Sequence, residues 1–382
     1  MEYRILGRTG LKVGAIALGC EGFTDKTAEE VRANFDFAIR NGINFLDLYA
    51  SNPTLRSNIG AALAGRREKF VIQGHLCSVW EEGQYLRTRD PEKSLAAFED
   101  MLARLGTDYV EIGMIHYVDA EADLREVLDG PIMRLAQRLR SEGRIRHIGL
   151  STHNPVVAHM AARTGLIDVL MFSVNPCYDL LPPSDDVDTL WADESYAREL
   201  HNIDPERQRL YEFCEREGIA IDVMKAYGGG DLLSDANSPF GRPMTPVQCL
   251  EYALTRPGVA AVMAGCRSRA EIEAALAWCS ATAAERDYTG ALAGLDKFSW
   301  EGHCMYCGHC APCSVGIDIA GVNKYYNLTL AQHEIPETVR EHYRLLPHHA
   351  SECIACGRCE RNCPFGVDII GHMRLAAAKF GY

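Results

Sequence analysis

Thr27-Ala28-Glu29-Glu30-Val31-Arg32-Ala33-Asn34-Phe35-Asp36-Phe37-Ala38-Ile39-Arg40-Asn41-Gly42-Ile43-Asn44-Phe45-Leu46-Asp47-Leu48 contains one complete helix-to-strand unit. Thr27 and Glu30 have the spacing of a capping box, in which each side chain satisfies the other's backbone N–H. Val31, Phe35 and Ile39 then recur at helical spacing, and Gly42 reads as the stop. The run 44–48 is short and mostly apolar, as a parallel strand buried under helices must be.

Outward from this unit the pattern repeats. Runs 13–18, 44–48, 70–74, 110–115, 145–151, 169–174, 219–224 and 260–264 are eight strand candidates. Asp90-Pro91, Asn154-Pro155, Asp204-Pro205 and Thr245-Pro246 each set a capping side chain before a proline at the first helical position. Ser268-x-x-Glu271 is a second capping box, and Gly106 and Gly218 are further stops. Eight strands, each followed by a helix, predict an α/β fold of the (β/α)8 TIM-barrel type. A doubly wound sheet would not usually have eight such units. Residues 3–13 read as a leading hairpin turning at Gly7-Arg8-Thr9-Gly10. Loops 76–89 and 177–203 follow the third and sixth strands, which puts both on the catalytic face of a barrel. No internal repeat is evident.

Eight of the fifteen cysteines lie in two runs near the end of the chain. The first is Cys304-x2-Cys307-x2-Cys310-x2-Cys313, and the second is Cys353-x2-Cys356-x2-Cys359-x3-Cys363, followed by Pro364. Two-residue gaps let three thiolates converge on one iron–sulfur cubane, while the fourth usually reaches the other cluster. That logic assigns Cys304, Cys307, Cys310 and Cys363 to one [4Fe–4S] cluster, and Cys353, Cys356, Cys359 and Cys313 to a second. Zinc ribbons use wider-spaced knuckles, and disulfide frameworks belong to secreted chains. The other seven cysteines are scattered and read mostly as small buried hydrophobes.

A chain of 382 residues fits one large and one small domain. The net charge of −13 argues against a nucleic-acid partner, which would need a basic face. Met1-Glu2-Tyr3-Arg4 has no apolar leader, and no run of ~18 apolar residues exists to span a membrane. A reducing cytoplasmic location is expected.

The two cysteine runs resemble the two-cluster bacterial ferredoxin module. The first run departs from it, with two residues rather than three before Cys313 and with Ser314 where a proline is common. Tyr3-Arg4-Ile5-Leu6-Gly7-Arg8-Thr9-Gly10-Leu11, Gly42-Ile43-Asn44-Phe45-Leu46-Asp47, Ile112-Gly113-Met114-Ile115-His116 and Gly265-Cys266-Arg267-Ser268 resemble the aldo-keto reductase family, over about residues 1–280. Together they resemble its ferredoxin-fused branch. That implies a barrel over residues 1–290 and a ferredoxin-like domain over 291–382.

The resemblance also implies a catalytic Asp, Tyr, Lys and His, of which this sequence keeps half. Asp47 matches the aspartate and His116 the histidine. The tyrosine position is Asn52 and the lysine position is His75. An amide cannot act as a general acid, whereas imidazole titrates near neutral pH. An aspartate beside an imidazole would keep it charged, so a histidine is the expected proton donor. Tyr49, two residues from Asp47 and on the same side of an extended strand, is the competing donor. For nicotinamide the resemblance points to Ser151, Thr152, His153 and Asn175, with Met224 where an aromatic ring often stacks. Lys225 and Gly228 would meet phosphates, and Gly265 and Ser268 open a helix whose N-terminus attracts anions. Arg267 and Arg269 would grip a 2′-phosphate, which favours NADPH over NADH.

Hydride transfer moves electrons in pairs, whereas a [4Fe–4S] cluster passes them singly. Three readings follow. In the first, an external one-electron donor, such as ferredoxin or a flavoprotein, feeds clusters that reduce a small-molecule substrate with a C=O or activated C=C bond. In the second, NADPH reduces a carbonyl and the clusters are structural. In the third, the chain is a non-enzymatic electron carrier or redox sensor. Barrel-bound flavin leaves only a weak sequence signature and stays open. Loss of the tyrosine and lysine favours the first reading over the second, and retention of Asp47, His75 and His116 disfavours the third.

Overall fold

The computed structural model describes residues 1–293, 295, 298–330 and 335–382. Its strands, in chain order, are β1 (Tyr3–Ile5), β2 (Lys12–Gly14), β3 (Ile16–Gly19), β4 (Phe45–Leu48), β5 (Val71–Leu76), β6 (Ser78–Glu81), β7 (Gln84–Arg87), β8 (Val110–Ile115), β9 (Ile145–Thr152), β10 (Val169–Ser173), β11 (Leu200–His201), β12 (Ala220–Met224), β13 (Val259–Gly265) and β14 (Phe298–Ser299). Eight of them close a parallel barrel in the order β3-β4-β5-β8-β9-β10-β12-β13.

The expected first strand, 13–18, turns out to be two elements. Val13 belongs to β2, which pairs antiparallel with β1, and the barrel strand begins at Ile16. Leu6 and Val13 of that hairpin are buried with Phe45, Ile112 and Met171 of the barrel interior. The helix start signals are realised as hydrogen bonds. Thr27 and Glu30 form a reciprocal capping box on Ala28–Arg40, and Asp90, Asn154, Asp204, Thr245 and Ser268 each cap the helix that follows.

Helix Pro53–Leu63 lies against helix Pro91–Leu105 through Gly60, where a Cβ would stand 1.9 Å from the Arg104 carbonyl oxygen. Backbone cannot yield as a side-chain tip can. Gly60→Ala is therefore expected to destabilise the chain by about 1–3 kcal/mol, the usual range for overpacking. An unchanged denaturation midpoint would show that the two helices separate freely.

The loop expected over 76–89 contains the hairpin β6–β7. Glu82 and Gly83 at its tip have φ of 52° and 79°, the two left-handed residues that a tight hairpin turn requires. The loop after β10 is built from three short 3-10 turns and β11. It is tied down at both sides: Asp185 accepts from Asn154 after β9, and Trp191 lies under the Lys225 ammonium after β12 at 5.8 Å. β11 pairs in parallel with β14, so this loop also holds the start of the C-terminal region.

That region does carry a repeat. Cys313-x2-Gly316-x-Asp318-Ile319-x-Gly321 recurs 50 residues later as Cys363-x2-Gly366-x-Asp368-Ile369-x-Gly371. Asp318 and Asp368 cap helices Ile319–Leu328 and Ile369–Phe380 by accepting from the Gly321 and Gly371 N–H groups. A Cβ at either glycine would meet the capping carboxylate at 2.4 and 2.1 Å, which explains the glycines. The region docks on the outside of helices Pro205–Glu217 and Pro246–Leu254. Tyr288 donates to the Met305 carbonyl at 2.7 Å, Arg256 donates to the same oxygen, and Lys324 pairs with Glu215 at 2.7 Å. In the closed barrel, β12 and β13 stand directly across from β5 and β8. Among the described residues no helix is long and apolar enough to cross a membrane.

Candidate functional site

Parallel register brings three strand ends together. Asp47 is in β4, His75 in β5, and His116 follows β8 directly. The Asp47 Oδ1 atom lies 2.9 Å from His75 Nε2, and His75 Nδ1 lies 2.8 Å from His116 Nδ1. His116 Nε2 is then 2.6 Å from the hydroxyl of Tyr85 in β7 of the β6–β7 hairpin. Below this row, the Gln73 amide donates to both Asp47 and Asp222 at 2.9 Å. Burial, and then the charge of Asp47, pushes the Asp222 carboxyl far above the usual range, so it stays protonated.

The expectation that a neighbouring aspartate charges a histidine applies to the two rings differently. Asp47 touches His75. Burial, and then His75, Arg89, His153 and Arg87, push His116 well below ordinary histidine, so its ring is neutral. Tyr49 lies flat on His116, with centroids 5.4 Å apart and planes 6° apart. Burial and the Glu21 carboxylate raise its phenol, which opposes its ionisation. Tyr85, which the sequence reading passed over, is the phenol that reaches a ring nitrogen. Its hairpin is pinned across the barrel end, because Ser78 Oγ donates to the Tyr49 carbonyl at 2.6 Å and Ser51 Oγ to the Val79 carbonyl at 2.7 Å. Asn52, at the position of the family tyrosine, caps helix Pro53–Leu63 by accepting from Leu55 N–H. The rim around the site is strained: Cys77, Tyr117 and Lys225, just beyond β5, β8 and β12, have φ of 69°, 54° and 62°.

The residues expected to meet a dinucleotide are partly committed elsewhere. Ser151 accepts from Tyr117 N–H, and Thr152 and His153 bond Asp119 at 2.9 Å. Asn175 spends its amide on the Lys225 carbonyl and its oxygen on the Cys177 and Tyr178 N–H groups, bracing the following loop. Met224 ends β12 and is half-buried, and Lys225 is exposed. Gly228, at φ 59°, packs beside Leu232. Gly265 is exposed, and Ser268 caps the next helix. Glu271 takes the Arg267 backbone N–H at 2.6 Å, so a carboxylate already occupies that helix start. Arg269 is paired with Glu273 and lies over Phe37. The Arg267 guanidinium has no hydrogen bond or ion pair among the described residues.

The cysteines gather as two quartets. One cavity is ringed by Cys304, Cys307, Cys310 and Cys363, with Tyr306, Phe365 and Ile369. The other is ringed by Cys313, Cys353, Cys356 and Cys359, with Ile317, Ile370 and Met373. Among the described residues no three His, Cys, Asp or Glu side chains converge closely enough to hold a single metal ion. Four thiols around an open cavity suit a cubane, whose irons fill the centre, better than zinc, which needs its ligands near ~2.3 Å. The first cavity faces the barrel helices through Met305 and Tyr306. The second opens outward at the exposed Cys356 and Ile354.

Comparison with known proteins agrees with this division. The model of the Aldo/keto reductase family matches residues 11–247, and that of a 4Fe-4S dicluster domain matches residues 303–368. The chain is similar to the uncharacterized oxidoreductase YqkF of Bacillus subtilis, at 27% identity over 45% of this chain and 56% of YqkF, so that match spans little more than half of the relative. It is similar to the L-galactose dehydrogenase of Arabidopsis thaliana, at 25% identity over 72% of this chain and 86% of that protein. Among solved structures, the holo form of aldo-keto reductase AKR11C1 from Bacillus halodurans superposes with a TM-score of 0.57 at 23% identity, covering 75% of this chain and 94% of that one.

Proposed function

The chain belongs to the aldo/keto reductase family and carries a 4Fe-4S dicluster domain, and on that premise we propose that it reduces a small organic substrate, with a C=O or activated C=C bond, at the barrel end formed by Asp47, His75 and His116. The observation that carries the proposal is the pair of cysteine quartets, one against the barrel helices and one open to solvent. Two [4Fe–4S] clusters held there would supply two single electrons, the number that one such reduction consumes. The eight ligands are Cys304, Cys307, Cys310 and Cys363 for the inner cluster and Cys313, Cys353, Cys356 and Cys359 for the outer one. The exposed Cys356 side faces an external one-electron donor, such as a ferredoxin or flavoprotein. Asn175, which would hold a nicotinamide carboxamide, is spent on backbone groups, and this weighs against nicotinamide as the reductant.

One observation favours a second reading, in which NADPH is the reductant and the clusters are structural. The docked helices stand across the barrel from His75 and His116, so an electron leaving the inner cavity must cross a helix and the barrel, on the order of 20 Å. The unpaired Arg267 and the exposed Lys225 would then meet phosphates.

Anaerobic single turnover separates the two. The chain, reduced by dithionite and freed of excess reductant, is mixed with small aldehydes and enones while the visible cluster absorbance is followed. Substrate-dependent reoxidation, with two electrons per product and no product from NADPH alone, is the expected result. Product from NADPH with the clusters left unchanged would replace this reading with the second. In that case Arg267→Ala would weaken NADPH far more than NADH.

A further inference from the structure

We infer that Tyr85 is the group that hands the proton to substrate, and that Asp47, His75 and His116 behind it form a store holding one proton per turnover. The inference rests on the proposed reduction but not on which reductant drives it.

The argument starts from the two imidazoles. Their Nδ1 atoms are 2.8 Å apart, and two nitrogens at that distance must share one hydrogen. Asp47, 2.9 Å from His75 Nε2, accepts a second hydrogen from the same ring. His75 can therefore carry both hydrogens, with its positive charge against the Asp47 carboxylate. His116 is then neutral, with its hydrogen on Nε2 facing the Tyr85 oxygen at 2.6 Å. A phenol oxygen that accepts from His116 is free to aim its own hydrogen away, toward the barrel end. Tyr85 is 38% exposed, whereas His75 and His116 are buried, so of this row only the phenol is open to a ligand.

The transfer then balances. The Tyr85 O–H bond breaks, and its proton goes to the substrate atom that becomes negative. With hydride as reductant this is the one proton needed, and with two cluster electrons a second proton reaches the other substrate atom from solvent. The His116 Nε2 hydrogen moves to the Tyr85 oxygen, and the His75 Nδ1 hydrogen moves to His116 Nδ1. Three N–H or O–H bonds break, and three form. The row ends neutral in both rings, with every remaining hydrogen pointing toward Asp47, and one proton from solvent resets it.

The surroundings set which state the rings hold. Asp47 on β4, 2.9 Å from His75, favours the charged pair, and Asp222 on β12 is protonated and contributes little. Arg87 and Arg89 of the β6–β7 segment and His153 after β9 oppose it, and they lie on the His116 side. Tyr49 covers His116 and makes edge contacts with His75 and Tyr85, with centroids 6.0 and 6.1 Å away.

The test uses the full chain with its clusters confirmed by iron content, and 4-nitrobenzaldehyde and 2-cyclohexenone as aldehyde and enone probes. Tyr85→Phe is expected to lower kcat by ~10²-fold or more, the range for lost general acid catalysis, with unchanged thermal melting. Asp47→Asn should move the alkaline fall of kcat to lower pH, because removing the carboxylate 2.9 Å from His75 disfavours the charged pair. Full turnover by Tyr85→Phe alongside loss in Tyr49→Phe would give the role to Tyr49. A histidine 15N spectrum decides the matter even if neither probe is reduced, an outcome that would count against the proposed reaction alone. One doubly protonated ring and one Nε2–H ring, the latter shifting in Tyr85→Phe, support the store. Two neutral rings at pH 6, or a spectrum indifferent to Tyr85→Phe, overturn it.

Discussion

Anaerobically purified Cys307→Ala chain will contain about four irons where the parent contains about eight, and it will melt at a lower temperature. Cys307 lies on the cavity that faces the barrel, and its loop is bonded to the barrel through the Met305 carbonyl, which accepts from Arg256 and Tyr288. Metal binding and folding are coupled where the site does not exist in the unfolded chain, so losing the inner cluster loosens that seam. Cys356→Ala provides the contrast. Cys356 is exposed on the outer cavity, so its replacement should also remove about four irons but leave barrel melting nearly unchanged. Zinc in place of iron, or full iron in both variants, would refute the two-quartet assignment. Equal melting of the two variants would show that the inner cavity does not support the seam.

His75→Gln is expected to lower turnover by ~10²-fold to ~10⁴-fold with both clusters retained. The amide can still bond Asp47, so packing around β5 should survive. It cannot pass a proton between Asp47 and His116, whose connection runs through the two ring nitrogens of His75. A fall in kcat without a matching rise in KM would locate the defect in the chemical step. Near-parental turnover would mean that the row is a structural hydrogen-bond chain and that protons arrive directly from solvent.

The barrel was legible because its signals are local. Capping side chains three residues from their partners, prolines at first helical positions and glycine stops are read in a single turn of chain. The cysteine quartets were legible for a related reason: three of each four are spaced within one loop. The hairpin was hidden because Glu82 occupies a left-handed position usually given to glycine or asparagine. The capping by Asn52-Pro53 uses the same signal as Asn154-Pro155 but was obscured, because Asn52 was weighed as a missing tyrosine. Tyr85 could not be found from sequence: its partner is 31 residues away, and the two meet only when a barrel strand end and a strand of the hairpin are brought together. The 50-residue repeat was in plain view, but five matched positions among nine are weak until the helix caps show why Asp and Gly recur.

The pairing of β14 with β11 has a consequence for how the molecule fails. β11 belongs to the loop that Asp185 and Trp191 fasten over the rim, and Phe298 of β14 and Trp300 just after it pack edge-on against Phe240 from the loop after β12. Loosening the C-terminal region therefore pulls on the loop that covers the barrel mouth. With clusters bound in the two cavities, oxygen damage to them would here also unlatch the barrel mouth, so exposure to air should weaken ligand binding there as well.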